Sequence, residues 1–464
     1  MSDAESGAGE AAERGRGRVR RVLLGAGAVC VLLWLALAGL RARWEGDLQA
    51  ELDALAADGL GVSDEDLHPP APARNGAPQL LGTRGLFEKL PPDVSIMLGS
   101  RPRAIRAALD PEASEAWLGS ESDRLPLDSP EVANAAAVII ERVDRVEASV
   151  DEALSRECVF PVDWSKGLEA DYDHLETLKQ LAWGFVVRGG WAALHGRPED
   201  SWRDAERVFQ LACAPAEPTL ISMLVRHSIA ELGADMLEDL LTLVGPPPRA
   251  QQGRIEALLR ELDGPEGYAR AMRGEVNLGL HSLPSDAGAF LRKAGAGGNR
   301  VGSALVTRLL YARWRRDYVR HMARFVRIGT LPSQEALLAA EAFEAEEAKE
   351  LSPLASQFLP SVVRTYRRDL GAHARVRLCL AGLRLSSGEG LPERAPADVP
   401  VDPWDRDGGA LRYRLDGPRK ARLWSVGPDH RDDGGLFGDP WDEPTPGSDG
   451  TDLVFRIELP LGPD

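Results

Sequence analysis

An uncharged run near the N-terminus constrains this chain more than any other feature. Residues 22–40 read VLLGAGAVCVLLWLALAGL and contain no Asp, Glu, Lys or Arg. At 1.5 Å per residue, a helix of this length spans about 28 Å, close to the roughly 30 Å hydrocarbon core of a bilayer. We therefore predict a single transmembrane helix over 22–40.

The charges on either side of this run predict its orientation. Five arginines precede it, at positions 14, 16, 18, 20 and 21, whereas Arg41 and Arg43 are the only basic residues in the twenty positions after it. Because a positively charged flank stays in the cytoplasm, we expect residues 1–21 to form a cytoplasmic tail and the remainder to be exported. The alternative is a signal peptide cleaved at Ala36-Leu37-Ala38, although the apolar core of such peptides, about 7–15 residues, is shorter.

Composition narrows the classes of function. The 464 residues include 55 Lys and Arg against 72 Asp and Glu, a formal net charge of −17. This balance argues against nucleic acid as a partner, because phosphate binding needs a basic face. Four cysteines in this length exclude a fold built on disulfides. We expect Cys158, Cys213 and Cys379 to be buried free thiols, with a Cys158–Cys213 disulfide as the alternative.

The apolar periodicity after the span predicts a helical body. Residues 41–81 are expected to form a juxtamembrane helix, over 44–58, and a Pro-rich spacer, and residues 82–387 an array of helical hairpins. The segment 182–214 weakly resembles a tetratricopeptide-type helix pair, with an ordinary helical hairpin as the alternative. The helices predicted in the body cover 131–156, 171–195, 198–214, 219–244, 251–262, 301–327, 334–350 and 354–385.

The composition changes near Gly388, where a Pro- and Gly-rich segment precedes runs of alternating apolar and polar residues. These runs predict three antiparallel strands at 410–415, 421–426 and 453–459. Three strands are close to the minimum for independent stability, so the module of residues 388–464 is expected to pack on the preceding helix. The predicted fold class is mainly α, with one N-terminal transmembrane helix, a helical-hairpin array and a small C-terminal β module.

Motifs in this module carry a family resemblance. Asp402-Pro403-Trp404, Leu411-Arg412-Tyr413, the run from Trp424 to Asp429, Gly434-Gly435 and Thr451-Asp452-Leu453 stand in this order. The series resembles the C-terminal domain of major pseudopilins of type II secretion systems. The chain as a whole looks like a bacterial membrane-anchored protein, which implies a single-pass inner-membrane location with the bulk of the chain outside the cytoplasm.

The resemblance also implies a cation site, since major pseudopilins bind calcium in the loop after this motif. Carried over to this sequence, the ligands are Asp429, the carbonyl oxygen of Val426 and a later carboxylate such as Asp439. Calcium is the only cofactor that this comparison suggests. The apolar run, however, opens with residues 20–24, RRVLL, and lacks the Gly-Phe-Thr-Leu-Ile-Glu processing motif of pseudopilins, which argues against a normal filament subunit.

One basic cluster is a candidate partner-binding site. Helical spacing places Arg313, Arg316, Arg320, Arg324 and Arg327 along one face, which could dock an acidic partner or anionic lipid head groups. The alternative is internal pairing with the acidic helix over 335–350.

The sequence contains none of the common catalytic motifs that we considered. The sequence has no H-E-x-x-H, no G-x-S-x-G and no Walker loop, and its histidines stand alone, although His174, His195 and His227 could converge from neighbouring helices. We expect a non-enzymatic protein with an interaction or scaffold role in the cell envelope, beside a secretion or pseudopilus-like system. The alternatives are an envelope enzyme whose site is assembled from scattered side chains, and a calcium-stabilised binding module.

Overall fold

The computed structural model describes residues 3–68, 70–87, 130–265, 267–283, 301–347, 362–388, 390–435 and 452–460, without the side chains of 3–28, 30, 130–132, 301–309, 346–347 and 362–363. The chain is mainly helical, with one small antiparallel sheet. The helices described are α1 Asp3–Ala57, α2 Asp64–Leu67, α3 Ala77–Leu81, α4 Pro130–Leu154, α5 Asp173–Leu194, α6 Pro198–Cys213, α7 Leu220–Leu243, α8 Arg249–Leu262, α9 Gly267–Ser282, α10 Val301–Ile328, α11 Ser333–Glu347 and α12 Val362–Ser386. The strands are β1 Arg412–Gly417, β2 Lys420–Ser425 and β3 Leu453–Glu458.

Helix α1 joins two predicted elements, the apolar run and the juxtamembrane helix, into one uninterrupted helix. Within the described part of the chain, none of the helices combines the length and apolar character that crossing a membrane requires. The predicted span of 22–40 includes the side chains of residues 22–28 and Cys30, which lie outside that part.

The C-terminal third of α1 packs against α10. Leu48 and Leu55 are buried in this interface, because they fall on one face of the helix at a spacing of seven residues. The helix ends at Ala57, and Gly59 then adopts a positive φ of 73°, a backbone conformation that favours glycine. This end of α1 agrees with the predicted end of the juxtamembrane helix over 44–58.

The Pro-rich segment, which we predicted to be a spacer, packs on the helical body along its described part. Ala77 and Leu80 are completely buried in the shared hydrophobic core. Asn75 holds the segment to the chain beyond α4, since its amide donates to the carbonyl oxygen of Val159 at 2.6 Å and its Oδ1 accepts from the backbone nitrogen of Val159 at 3.0 Å. This segment and the C-terminal third of α1 therefore both contribute to the core of the helical body.

Helices α5 and α6 form the hairpin that the sequence predicted over 182–214. Trp202 fills the space between them and is 1% exposed, while Ala182 and Ala205 are completely buried. Small residues at these positions allow the two helices to approach, and the turn between them uses Gly196 at φ 67°.

A buried network of charges ties α4, α5 and α6 together. Asp204 on α6 accepts hydrogen bonds from Arg188 of α5, at 2.6 and 2.9 Å, and from Arg207 at 2.7 Å. The two guanidinium groups also reach carboxylates of α4, namely Asp144 and Asp151. We call this set the guanidinium network.

Helix α9 was missed by the sequence analysis, which placed no helix between 263 and 300. Its sequence contains Gly274 and Gly279, and glycine lowers helix propensity. Both are needed for packing, because a Cβ atom at Gly274 would collide with the carbonyl of Pro218 and one at Gly279 with the ring of Tyr318. Tertiary packing thus overrides local propensity. Helices α4 to α8 and α10 begin and end within two residues of the predicted bounds, whereas the short helices α2 and α3 were not predicted. The predicted residues 348–350 of α11 and 354–361 of α12 lie outside the described part.

The C-terminal sheet has the order β1-β2-β3 and is antiparallel throughout, which confirms the predicted strands. It packs on α12 and α7, as expected for so small a module. Phe455 lies against Gly382 of α12, where a Cβ atom would overlap its ring. Arg375 of α12 donates to the carbonyl oxygen of Val454 at 2.8 Å and pairs with Asp235 of α7 at 2.5 Å.

Candidate functional site

A cleft of about 390 Å³ opens where α7, α8, α9 and α12 meet. Thr219 and Gly267, at the N-terminal ends of α7 and α9, lie on its wall, together with Gly264 of the connection between α8 and α9. The cleft brings together side chains that are about 150 residues apart in the sequence. It is the candidate functional site because it gathers ionisable groups in buried positions.

Asp369 of α12 lies between two histidines of this cleft. Its Oδ1 is 3.5 Å from Nε2 of His227 on α7, and its Oδ2 is 3.6 Å from Nε2 of His373, one turn further along α12. The imidazole rings are 6.3 Å apart and nearly perpendicular. Nδ1 of His373 also donates to Asp263, at 2.9 Å. Asp369 is 4% exposed. We call these three side chains the His–Asp–His cluster.

Burial and charge push the two histidines in opposite directions. Burial lowers the pKa of His227 to about 4, and the charge of Asp369 opposes this only in part. Burial also acts to lower the pKa of His373, but the charges and hydrogen bonds of Asp369 and Asp263 outweigh it and raise this pKa to about 9. Burial alone would raise the pKa of Asp369, yet His373 and His227 hold it below its usual value.

At neutral pH the cluster therefore contains a neutral imidazole, a carboxylate and an imidazolium. His227 offers an acceptor nitrogen, and His373 is a proton donor. These opposite pKa shifts make His227 a candidate base and His373 a candidate acid. Nδ1 of His227 is buried and has no hydrogen-bond partner in the described part of the chain.

The walls of the cleft carry further charges. Arg226 of α7 donates to the carbonyl oxygen of Glu261 at 3.0 Å, and Arg270 of α9 donates to that of Ala216 at 2.7 Å. Glu217 forms a buried pair with His174, at 3.1 Å. These contacts fasten the connections between helices around the opening.

The structure separates the three histidines that the sequence placed on neighbouring helices. His174 approaches the cleft through Glu217, while His195 lies outside it, exposed, with its ring tilted against that of Trp191 at 4.3 Å. His227 meets His373 instead. The sequence analysis missed Asp369 and His373, although their spacing of four residues on one helix face could have indicated the pair.

The predicted partner-binding arginines lie on α10. Arg316 pairs with Asp317 and, at 3.6 Å, with Asp47 of α1. Arg313 is 3.6 Å from Asp317 but stays more than half exposed, Arg320 is exposed, and Arg324 lies over the ring of Phe343.

Arg327 of this face and Arg315, which lies outside it, both reach α1. Arg315 pairs with Glu45 at 3.2 Å, and Arg327 pairs with Glu51 at 2.6 Å. The carboxylates that meet these two arginines thus come from α1, whereas the internal alternative had placed them on the helix over 335–350. The binding of a partner by this face stays a prediction.

The predicted calcium ligands are only partly described. Asp429 accepts from the backbone nitrogen of Arg431, and the backbone nitrogen of Val426 donates to Asp402 at 2.9 Å. Asp439 lies outside the described residues. Among the side chains that the structure describes, no group of three or more His, Cys, Asp or Glu is arranged to hold a metal ion. Calcium binding stays a prediction.

Two motif residues of the β module have structural roles. Asp402 accepts from the hydroxyl of Ser425 at 2.6 Å and from the backbone nitrogens of Trp404 and Val426 at 3.0 and 2.9 Å, so it fixes the end of β2. Asp452 is completely buried, and burial raises its pKa to about 7. Its Oδ2 accepts from the backbone nitrogen of Gly435 at 2.8 Å.

Cys158, Cys213 and Cys379 are free thiols, as the sequence analysis expected. Burial raises the pKa of Cys158 to about 11 and those of Cys213 and Cys379 to about 12. Since the thiolate is the nucleophile, these raised pKa values disfavour reaction of the three thiols at neutral pH.

Comparison of the chain with protein-family models, with curated proteins and with solved structures gives no significant match.

Proposed function

We propose that this chain is a single-pass membrane protein of a bacterial envelope, which holds a helical body outside the cytoplasm and serves there as an interaction platform. The observation that carries the proposal is a contrast in burial along α1: the apolar run is exposed, whereas Leu48 and Leu55 in the C-terminal third are buried against the body. Val31, Leu32, Leu33 and Trp34 are each more than half exposed, although they point in different directions around the helix. A helix that is apolar on all sides needs an apolar environment, and a bilayer supplies one.

The attachment of α1 to the body supports the same proposal. Leu48, the first described residue that is buried against the body, lies only eight positions after Leu40, the end of the apolar run. At 1.5 Å per residue this is about 12 Å of continuous helix. The body would therefore lie close to the head groups, held by a stiff element rather than by a flexible tether.

The interaction role is supported by the exposed basic residues of α10. Arg313 and Arg320 are seven residues apart on one face of this helix, and both side chains reach solvent. Such a face attracts acidic surfaces. The proposed partner is an acidic envelope protein of a secretion or pseudopilus-like machine.

Membrane insertion is tested by charges placed in the apolar run. An Arg at the centre of a transmembrane helix costs about 2.5–3.5 kcal/mol. The double variant Leu33→Arg/Leu35→Arg is expected to leave the alkali-resistant membrane fraction, whereas the matched control Ala50→Arg, at an exposed position of α1 outside the run, stays in it. A reporter fused after Asp464 is expected to be active only outside the cytoplasm. Full-length protein in the soluble fraction, or a C-terminus on the cytoplasmic side, contradicts the proposal.

The interaction role has its own test. Cross-linking in intact membranes, followed by purification of the full chain, is expected to recover an acidic envelope protein. The double reversal Arg313→Glu/Arg320→Glu should abolish its recovery, and Arg431→Glu, an exposed control in the β module, should not. Equal recovery with both variants argues against this face.

The His–Asp–His cluster favours a second candidate, an envelope enzyme that uses the cleft for proton transfer. Ring NMR signals of the full chain in detergent test it, with assignments from His227→Gln and His373→Gln. We expect one histidine to titrate near pH 4 and the other near pH 9. If both titrate near the ordinary value of about 6.5, the acid–base pair does not exist.

A further inference from the structure

The cleft carries charges of both signs. With His373 counted as an imidazolium, because its pKa is raised to about 9, the described part of the lining holds as many cations as carboxylates: Arg226, Arg270 and His373 against Glu217, Glu261 and Asp369. Such a balanced lining has no net attraction for an ion of either sign. It is complementary to a ligand that itself carries both charges.

Burial divides these six charges into two groups. The carboxylates of Glu217 and Asp369 are buried, and each of them faces a histidine of the protein. By contrast, Glu261 and Arg270 are exposed, and Arg226 is partly exposed. A ligand that enters the cleft can therefore reach the second group without displacing a buried pair.

Arg226 and Glu261 are neighbours that do not form an ion pair with each other. The guanidinium of Arg226 donates to the backbone carbonyl oxygen of Glu261 at 3.0 Å, which places the cation beside residue 261. Within the described part of the chain, neither side chain forms an ion pair. Because a guanidinium has five N–H donors and a carboxylate accepts at two oxygens, both side chains retain capacity for a ligand.

Apolar side chains make up much of the remaining lining. They come from α7, α8, α9 and the connections between the helices, and comprise Met223, Leu262, Ala271, Pro215, Pro218 and Pro265. The volume of about 390 Å³ lies in the range of small-molecule sites. The cleft thus combines one pair of opposite charges with space for an apolar group.

We propose that the cleft binds a free α-amino acid with an apolar side chain. The carboxylate of the ligand pairs with Arg226 and its ammonium group pairs with Glu261, while its side chain lies against the apolar part of the lining. An α-amino acid fits this arrangement because its two charged groups are attached to one carbon atom and can meet two adjacent protein charges at once. The inference goes beyond the proposed platform role, and it does not depend on the membrane anchor.

Matched ligands test whether both charges are needed. Calorimetric titration of the full chain in detergent compares leucine with 3-methylbutylamine, which lacks the carboxylate, and with 4-methylpentanoate, which lacks the ammonium group. Phenylalanine, 2-phenylethylamine and 3-phenylpropanoate form a second set. We expect at least one of the two amino acids to bind, about tenfold or more tightly than its amine, because hydrogen bonds to a charged group contribute roughly this factor.

Two further comparisons use the same titration. The acid should bind about threefold or more weakly than the amino acid, a smaller difference because Glu261 is exposed. Glycine, which has the same charged groups without a side chain, should bind about tenfold or more weakly than the preferred amino acid, since it buries no apolar surface.

Variants assign the two contacts. Arg226→Gln should weaken binding of the amino acid about tenfold or more and remove its advantage over the amine, and Glu261→Gln should remove its advantage over the acid. The controls Arg260→Gln, at an exposed position of α8 paired with Glu256, and Glu199→Gln, at an exposed position of α6, should change neither.

The proposal would be overturned if neither amino acid bound, if an amine, an acid or glycine bound as tightly as the amino acid, or if Arg226→Gln retained full binding. Because the ligand comparison uses the unsubstituted chain, it can contradict the proposal even where a variant does not fold. None of these results bears on membrane insertion, which the fractionation experiment addresses separately.

Discussion

The guanidinium network and the His–Asp–His cluster are two buried sets of charges in one helical body, and they differ in how completely they are satisfied. Every buried side-chain nitrogen and oxygen of Arg188, Arg207 and Asp204 has a hydrogen-bond partner. In the cluster, Nδ1 of His227 and Oδ1 of Asp369 have none within the described residues.

This difference in hydrogen-bond satisfaction indicates two different roles for buried charge. A network whose members satisfy one another fixes the geometry of the helices around it. A cluster with orphaned atoms beside a cleft retains the capacity to bind or to exchange protons.

Asp204→Asn gives the largest effect. The substitution removes the buried carboxylate that bridges the two guanidinium groups and leaves them only the more exposed carboxylates of α4. Breaking a buried pair in this way costs about 3–5 kcal/mol of unfolding free energy. Denaturant unfolding of the full chain in detergent measures the loss. The control Asp200→Asn, on the exposed face of α6, should cost no more than about 1 kcal/mol. Similar losses for both variants would remove the structural role of the network.

The His–Asp–His cluster predicts a pH dependence of stability. Because the folded pKa of His227 lies near 4, below the unfolded value of about 6.5, its contribution is lost as pH falls from 6.5 to 4. Because the folded pKa of His373 lies near 9, its contribution is present below pH 6.5 and is lost as pH rises to 9. The unfolding free energy should therefore peak near pH 6.5, with a change of roughly 2 kcal/mol or more on each side.

The double variant His227→Gln/His373→Gln isolates this contribution. Its difference from the unsubstituted chain should follow the same bell shape, measured by denaturant unfolding between pH 4 and pH 9. A difference that is constant with pH would show that the two histidines do not titrate apart.

Asp452→Asn examines a third buried carboxylate, in the β module. Its pKa is raised to about 7 in the folded state, so the folded chain binds this proton more tightly and stability is lost as pH rises from 4 to 7. The variant has no carboxyl group at this position, so its unfolding free energy does not include this loss. Relative to the unsubstituted chain, it should gain on the order of 2 kcal/mol between pH 5 and pH 8. An unchanged difference across this range contradicts the shifted pKa.

Glu51→Gln is expected to change the unfolding free energy least. The pair of Glu51 with Arg327, at 2.6 Å, joins α1 to α10 where both side chains are partly exposed. Such pairs contribute about 0–1 kcal/mol. Thermal unfolding in detergent should show a small shift, smaller still at high salt. A loss above about 2 kcal/mol would place this contact with the guanidinium network instead.

Much of the fold could be predicted because it depends on local patterns. The 3–4 spacing of apolar residues located α4 to α8, and the alternation from Leu453 to Leu459 located β3 with the correct face inward. Helix α9 could not be predicted in the same way, since its glycines serve contacts with Pro218 and Tyr318 that are distant in sequence.

The candidate site was predictable only in outline. The sequence shows His227, Asp369 and His373 as separate polar residues on two helices, and only the packing of α7 against α12 brings them together. The carboxylates that pair with the arginines of α10 could not be predicted from the sequence either. Their spacing predicted a common face, but several carboxylates could have met it, and the choice of α1 follows from the arrangement of whole helices.

In the membrane-inserted state that we propose, the uninterrupted path of α1 from its apolar run into the body would couple the bilayer to the body mechanically. A transmembrane helix changes its tilt when the thickness of the surrounding lipid changes. Because α1 is fastened to α10 by Leu48, Leu55 and the pairs of Glu45 and Glu51, a change of tilt would turn the body with it. Lipid composition would then set the direction in which the mouth of the cleft faces.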